Sequence, residues 1–334
     1  MPTAGALRRE AELVVDMCMS IGNDEVVTII TDDAHLKQAA ALAQVSVERG
    51  AFPVICNNEA QVVRSLQDTH FPVAPPKNLY EAVVNSTTIL IVTNLEWAHR
   101  FAHVSAVKVS CANNAKIASV EEGMGTWDIS KEEIQASVDR THQAAELLRH
   151  AKRVWVTSKR GTDVEVSIED RPPLEVIPIK KPGEMMGPLP LWSEVAFGAV
   201  EDQTQGRIVI DGSMVGIGVS GAVKTPITWK VEQGQVVSIE GGEEAKRLRK
   251  TIEGVAGAAV IGEFAFGTSV ISPVGDPSEQ GRLGTAHFAL GDNQNCYPGG
   301  RNRSTLHLDG VVRDVTLQVL DTGQYILKDG QWLL

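Results

Sequence analysis

Up to about residue 150, short β-rich runs alternate with stretches whose apolar positions recur every three to four residues. The first stretch, Gly5 to Ile21, reads as a helix and Glu25 to Thr31 as a strand; a helix from His35 to Arg49, a strand from Phe52 to Cys56 and a helix from Glu59 to Leu66 follow. The apolar run from Thr87 to Thr93 predicts a strand buried on both faces, as in a parallel sheet covered by helices. Val107–Ser110 and Ala115–Val120 are two further strand candidates, and Lys131–Arg149 reads as a long helix with Ser130 as its N-cap. Residues 1–150 are therefore expected to form an α/β domain with a parallel sheet.

Beyond Lys152 the pattern changes to strands separated by Gly, Pro and Asp turns: Val154–Thr157, Asp163–Ile168, Arg207–Asp211, Ile227–Val231 and Gln235–Ile239. One amphipathic helix follows Gly241-Gly242, its charged face a solvated surface. Residues 151–334 are expected to form a β-rich α+β domain.

With 43% hydrophobic residues, 334 residues suffice for two domains. The net charge of −11 argues against nucleic acid or an anionic membrane as partner, leaving peptides or small molecules. Cys18, Cys56, Cys111 and Cys296 contain no Cys-x-x-Cys pair, which suits reduced thiols and excludes a zinc ribbon. The N-terminus lacks a signal-peptide core and no apolar run reaches membrane-spanning length, so a cytoplasmic protein is expected.

The candidate chemistry lies in the second half. In Thr305-Leu306-His307-Leu308-Asp309, strand alternation turns Leu306 and Leu308 to a core and sets His307 and Asp309 on one face, where an imidazole and a carboxylate suit a divalent metal. Leu189-Pro190-Leu191-Trp192-Ser193-Glu194 delivers a carboxylate at a strand start, and Ile261-Gly262-Glu263-Phe264-Ala265 places another among apolar residues, where its charge needs compensation. Gly284-Thr285-Ala286-His287 adds a second imidazole. The segment Cys296-Tyr297-Pro298-Gly299-Gly300-Arg301-Asn302-Arg303 offers a phenol and two guanidinium groups to the same mouth.

These segments resemble the motifs of the aminopeptidase T family of metallo-aminopeptidases over most of the second domain. The resemblance implies that Glu194, Glu263, His287, His307 and Asp309 hold a pair of divalent ions (Zn, Co or Mn), that Tyr297 is a catalytic tyrosine, and that the protein is a homodimer. Where that family carries another acidic residue this chain has Arg282, with Glu279 as a nearby substitute. The chain is also similar to 2,5-dihydroxypyridine 5,6-dioxygenases, a branch of the same superfamily, in Gly206–Ile239, Gly241–Ala245 and Gly299-Gly300 followed by His307-Leu308-Asp309. That branch binds one Fe(II) by two histidines and an aspartate, and Glu263 stands here at the position of the first histidine.

The first expectation is a metal-dependent hydrolase cleaving a peptide or small-molecule amide bond. Glu263 is then a ligand or the general base, Tyr297 steadies the oxyanion, and Arg301 and Arg303 are candidates for a substrate carboxylate. The alternative is a non-haem Fe(II) dioxygenase opening a hydroxylated N-heterocycle, with Glu263, His307 and Asp309 on iron and His99 or His103 as acid/base.

Overall fold

A computed structural model describes residues 3–68, 71–102, 104–184, 187–218 and 221–334, so His103 lies outside the described residues. The chain divides into two compact units, residues 1–135 with 177–191, and residues 136–176 with 192–334. The division differs from a single boundary at residue 150 because the chain returns: Gly187–Leu189 pairs in parallel with Lys116–Val120 of the first unit. Conversely, Ala144, Ala145 and Leu148, near the end of the long helix, belong to the core of the second unit.

The first unit runs α1 (Ala4–Glu12), β1 (Val26–Thr31), α2 (Leu36–Glu48), β2 (Phe52–Asn57), α3 (Glu59–Gln67), α4 (Lys77–Val84), β3 (Thr88–Val92), α5 (Leu95–Phe101), α6 (Ser105–Ala112) and β4 (Lys116–Val120). Helix α7 (Lys131–Leu148) follows, opened by a reciprocal Ser130–Glu133 capping box. The strands form a parallel sheet in the order β2-β1-β3-β4, extended by Gly187–Leu189. Strands β3 and β4 are buried throughout, as an all-parallel sheet under helices requires.

Val107–Ser110, expected as a strand, is part of α6. Its buried residues Ala106, Val107 and Ser110 follow a helical spacing, and a four-residue window is too short to separate the two periods. Helix α4 was not anticipated either. Among the described residues no helix is long and apolar enough to cross a membrane.

The second unit is antiparallel. Strands β5 (Arg153–Ser158), β6 (Asp163–Ser167), β10 (Gln205–Ile210), β11 (Ile227–Glu232), β12 (Gln235–Glu240), β16 (Val315–Val319), β17 (Tyr325–Lys328) and β18 (Gln331–Trp332) form an eight-stranded sheet, with α8 (Glu243–Ile252) after β12. Strands β7 (Leu174–Val176), β9 (Glu194–Gly198), β13 (Ile261–Gly267), β14 (Ala286–Gly291) and β15 (His307–Val312) form a five-stranded sheet in the order β15-β14-β13-β9-β7; the first unit's Gly187–Leu189 is β8. The two sheets share one core, with Val154, Val156, Ile208 and Trp229 from the first and Phe197, Phe264, Phe266 and Phe288 from the second.

Candidate metal centre

Strand alternation decides what the five-stranded sheet offers on its other face. On β9, Val195 and Phe197 enter the shared core, which leaves Glu194, Ala196 and Gly198 opposite. On β13, Phe264 and Phe266 enter it, leaving Glu263, Ala265 and Gly267. Likewise Phe288 and Leu308 are core residues, while His287, Ala289, His307 and Asp309 take the far face, as expected for His307 and Asp309. The register then sets a small residue beside each polar one: Glu263 opposite Gly198 and Ala289, Glu194 opposite Gly267, His287 opposite Ala265, Asp309 opposite Ala289 and His307 opposite Gly291. Glycine and alanine leave the room in which five long polar side chains converge.

They converge as two groups that share a member. Ligand atoms of Glu194, Glu263 and His287 lie within 4.8 Å of one another, and so do those of Glu263, His307 and Asp309. The carboxylate of Glu263 spans both groups, its Oε1 accepting from His287 Nε2 (3.1 Å) and its Oε2 from His307 Nε2 (2.8 Å). His287 Nε2 stands 3.8 Å from Glu194 Oε2, and His307 Nε2 3.4 Å from Asp309 Oδ1. The other ring nitrogen of His307 donates to the carbonyl of Asp292 (2.9 Å), fixing the ring.

Three buried carboxylates this close repel one another and need cations. Burial, reinforced by Glu263 and Asp309, pushes the Glu194 carboxyl up to about 7. Burial also opposes the charge of Glu263, but hydrogen bonds from His287 and His307 outweigh it and hold that carboxyl well below its ordinary range. Against burial, Glu194 and Glu263 raise His287 to about 9, and Asp309 and Glu263 raise His307 well above the usual imidazole value.

A mixed set of two nitrogens and three carboxylates suits divalent transition metals. Buried Glu194 Oε2 and His287 Nδ1 have no hydrogen-bond partner, the unmet demand a bound cation relieves for the carboxylate. The residues therefore fit a metal centre, with Glu263 common to both groups.

Tyr297 closes one side. It packs with Ala196 and Ala265, flanked by Leu174 and Cys296. A Cβ on Gly198 would lie 2.7 Å from that of Tyr297, so glycine there admits the ring. Burial, then the charges of nearby Glu263 and Glu194, pushes the phenol well above its ordinary value, keeping it a proton donor.

Arg301, a candidate for a substrate carboxylate, pairs with Glu201 (3.0 Å). Arg303 is exposed, and His99 sits on α5 of the first unit, whereas all five ligand candidates come from the second. Glu279 does not join the cluster: it is fully buried, pairs with Arg313 and accepts from the Ser213 N–H (3.0 Å). Sequence reasoning passed over Glu201, whose loop context carries no periodic or motif signal, and gave Asn293, at the end of the segment that carries His287, no role.

A profile of the family described as NicX: 2,5-dihydroxypyridine 5,6-dioxygenase matches residues 9–262. The matched span includes Glu194 and stops one residue before Glu263, so the other four ligand candidates lie beyond it. No curated protein matches the sequence. Among solved structures, the chain is similar to 2,5-dihydroxypyridine dioxygenase from Pseudomonas putida KT2440, with 16% identity, a TM-score of 0.73 and coverage of 99% of this chain and 98% of that one. It is also similar to wild-type AmpT from Thermus thermophilus, with 17% identity, a TM-score of 0.70 and coverage of 99% of both chains. At these identities the likeness is one of fold.

Proposed function

We propose, from the premise that the chain belongs to the 2,5-dihydroxypyridine 5,6-dioxygenase family, that this member is a metal-dependent hydrolase of peptide or small-molecule amide bonds. The observation that carries the reading is the sharing of Glu263 between two three-residue ligand groups. One ion needs only one such group, whereas a carboxylate between two groups suits a pair. When bound, divalent ions polarise a carbonyl and lower the pKa of water.

The chain's own residues do the rest. Glu194 and His287 serve one side, His307 and Asp309 the other, and Glu263 spans them. Each oxygen of Glu263 faces one imidazole Nε2, one in each ligand group, and this place between the groups favours the ligand role over that of general base. Tyr297, held in its protonated form beside Glu263, donates a hydrogen bond to the oxyanion that develops as water adds to the carbonyl. The small apolar surface of Ala196, Ala265 and Leu174 excludes water from that side.

The second reading, a ring-cleaving Fe(II) dioxygenase, is favoured by the family match itself. It would use Glu263, His307 and Asp309 as one facial set and leave Glu194 and His287 without a task. Zn-, Mn- or Co-loaded protein tested on a peptide and amide panel without oxygen separates the two. Anaerobic amide cleavage is the expected result; activity only with Fe(II), accompanied by oxygen uptake on dihydroxypyridines, would overturn the hydrolase reading.

A further inference from the structure

Three residues beyond the end of β9, Glu201 is the centre of a polar knot in the second unit. Its side chain is 12% exposed. Oε1 accepts from Asn293 Nδ2 (3.0 Å) and from the Arg301 backbone N–H (2.6 Å), while Oε2 accepts from Arg171 Nη2 (2.8 Å) and Arg301 Nε (3.1 Å). Arg171 is itself only 6% exposed. So many donors, two of them charged, are more than a surface carboxylate needs; the arrangement resembles a rivet.

What the rivet joins is informative. The fully buried Asn293 donates from the same Nδ2 toward the carbonyls of Ala199 (3.3 Å) and Gly262 (3.2 Å), and Gly262 immediately precedes Glu263. The Asn293 carbonyl accepts the N–H of Tyr297 (2.9 Å). Asn293 and Asn302 exchange further bonds, Asn293 N–H to the Asn302 carbonyl (3.1 Å) and Asn302 N–H to Asn293 Oδ1 (2.9 Å), which close the loop that carries Tyr297 at its middle. Glu201 thus ties together the end of β9, the residue before Glu263 and both ends of the Tyr297 loop.

We propose that Glu201 is a positioning residue: through Asn293, Arg171 and Arg301 its carboxylate fixes residues 293–302 so that the Tyr297 phenol stands beside Glu263, while Glu201 itself meets neither metal nor substrate. The assignment rests on the reading of Tyr297 as part of the catalytic site, but not on which bond is broken. Sequence alone cannot show it, because the partners are spread over some 130 positions, from Arg171 to Arg301.

The test uses the full chain, zinc-loaded and labelled with 3-fluorotyrosine at its three tyrosines, Tyr80, Tyr297 and Tyr325. The Tyr297→Phe variant identifies the Tyr297 resonance in the 19F NMR spectrum. In Glu201→Gln, that resonance is expected to move while the other two and the bound zinc are retained. On an amide substrate, kcat should fall by about ten- to hundredfold with KM held, and the fall should vanish in a Tyr297→Phe background.

An unmoved Tyr297 resonance, or an equal loss in both backgrounds, would overturn the assignment. If Glu201→Gln does not fold, Arg301→Ala, at a side chain 65% exposed, removes two of the charged contacts and is read in the same way. Absence of amide cleavage by the wild type would count against the hydrolase reading alone, since the spectrum needs no substrate.

Discussion

The two faces of the five-stranded sheet are made by the same strands and do opposite work. One carries Phe197, Phe264, Phe266 and Phe288 into the shared core, with the rings of Phe264 and Phe288 5.7 Å apart. The other carries glycine and alanine between five ionisable residues. Burial stabilises the first face through apolar area. On the second it is a cost, offset by the hydrogen bonds between the Glu263 carboxylate and the two imidazoles. The difference teaches that the site is a stability debt carried by its own reverse side.

Changes on either face separate stability from chemistry. The largest effect is expected from Glu263→Ala, which removes the residue common to both ligand groups; elemental analysis should show both ions lost and assays no turnover above background. Phe264→Ala, one residue away but on the other face, should cost about 3–5 kcal/mol by denaturant titration while the folded protein keeps its metal content.

Next comes an acid effect. Burial opposes the Glu201 charge, but hydrogen bonds from its own N–H, Arg301 and Asn293 hold its pKa near 2, against 4.5 when unfolded. Its contribution is thus complete above 4.5 and is lost as pH falls through about 2. Discounted for solvent screening, the stability gap between wild type and Glu201→Gln should shrink by on the order of 1–2 kcal/mol across that interval. A gap independent of pH would contradict the network.

The smallest effect is expected from Gly198→Ala, whose new methyl meets the Tyr297 Cβ. It should cost about 1–3 kcal/mol and slow turnover without releasing metal, since Gly198 supplies space and no ligand atom.

Much of this was legible in the sequence where a local period or motif spoke. The alternation at Leu306-His307-Leu308-Asp309 put the right residues on the right faces, and Glu194 does begin a strand. The α/β and β-rich halves were readable from texture, although the return of Gly187–Leu189 to the first sheet was not, because a three-residue strand has no period of its own. The pairing of Arg301 with Glu201 was not legible for a different reason: the two are 100 positions apart, and no spacing rule connects them.

The central claim is that Glu263 joins two metal sites. Metal content per chain, measured on protein purified without chelator and on its Glu194→Ala and His287→Ala variants, tests it most directly. Two ions per chain, falling to one or none in each variant, is the predicted result. A single iron that neither substitution disturbs would contradict it.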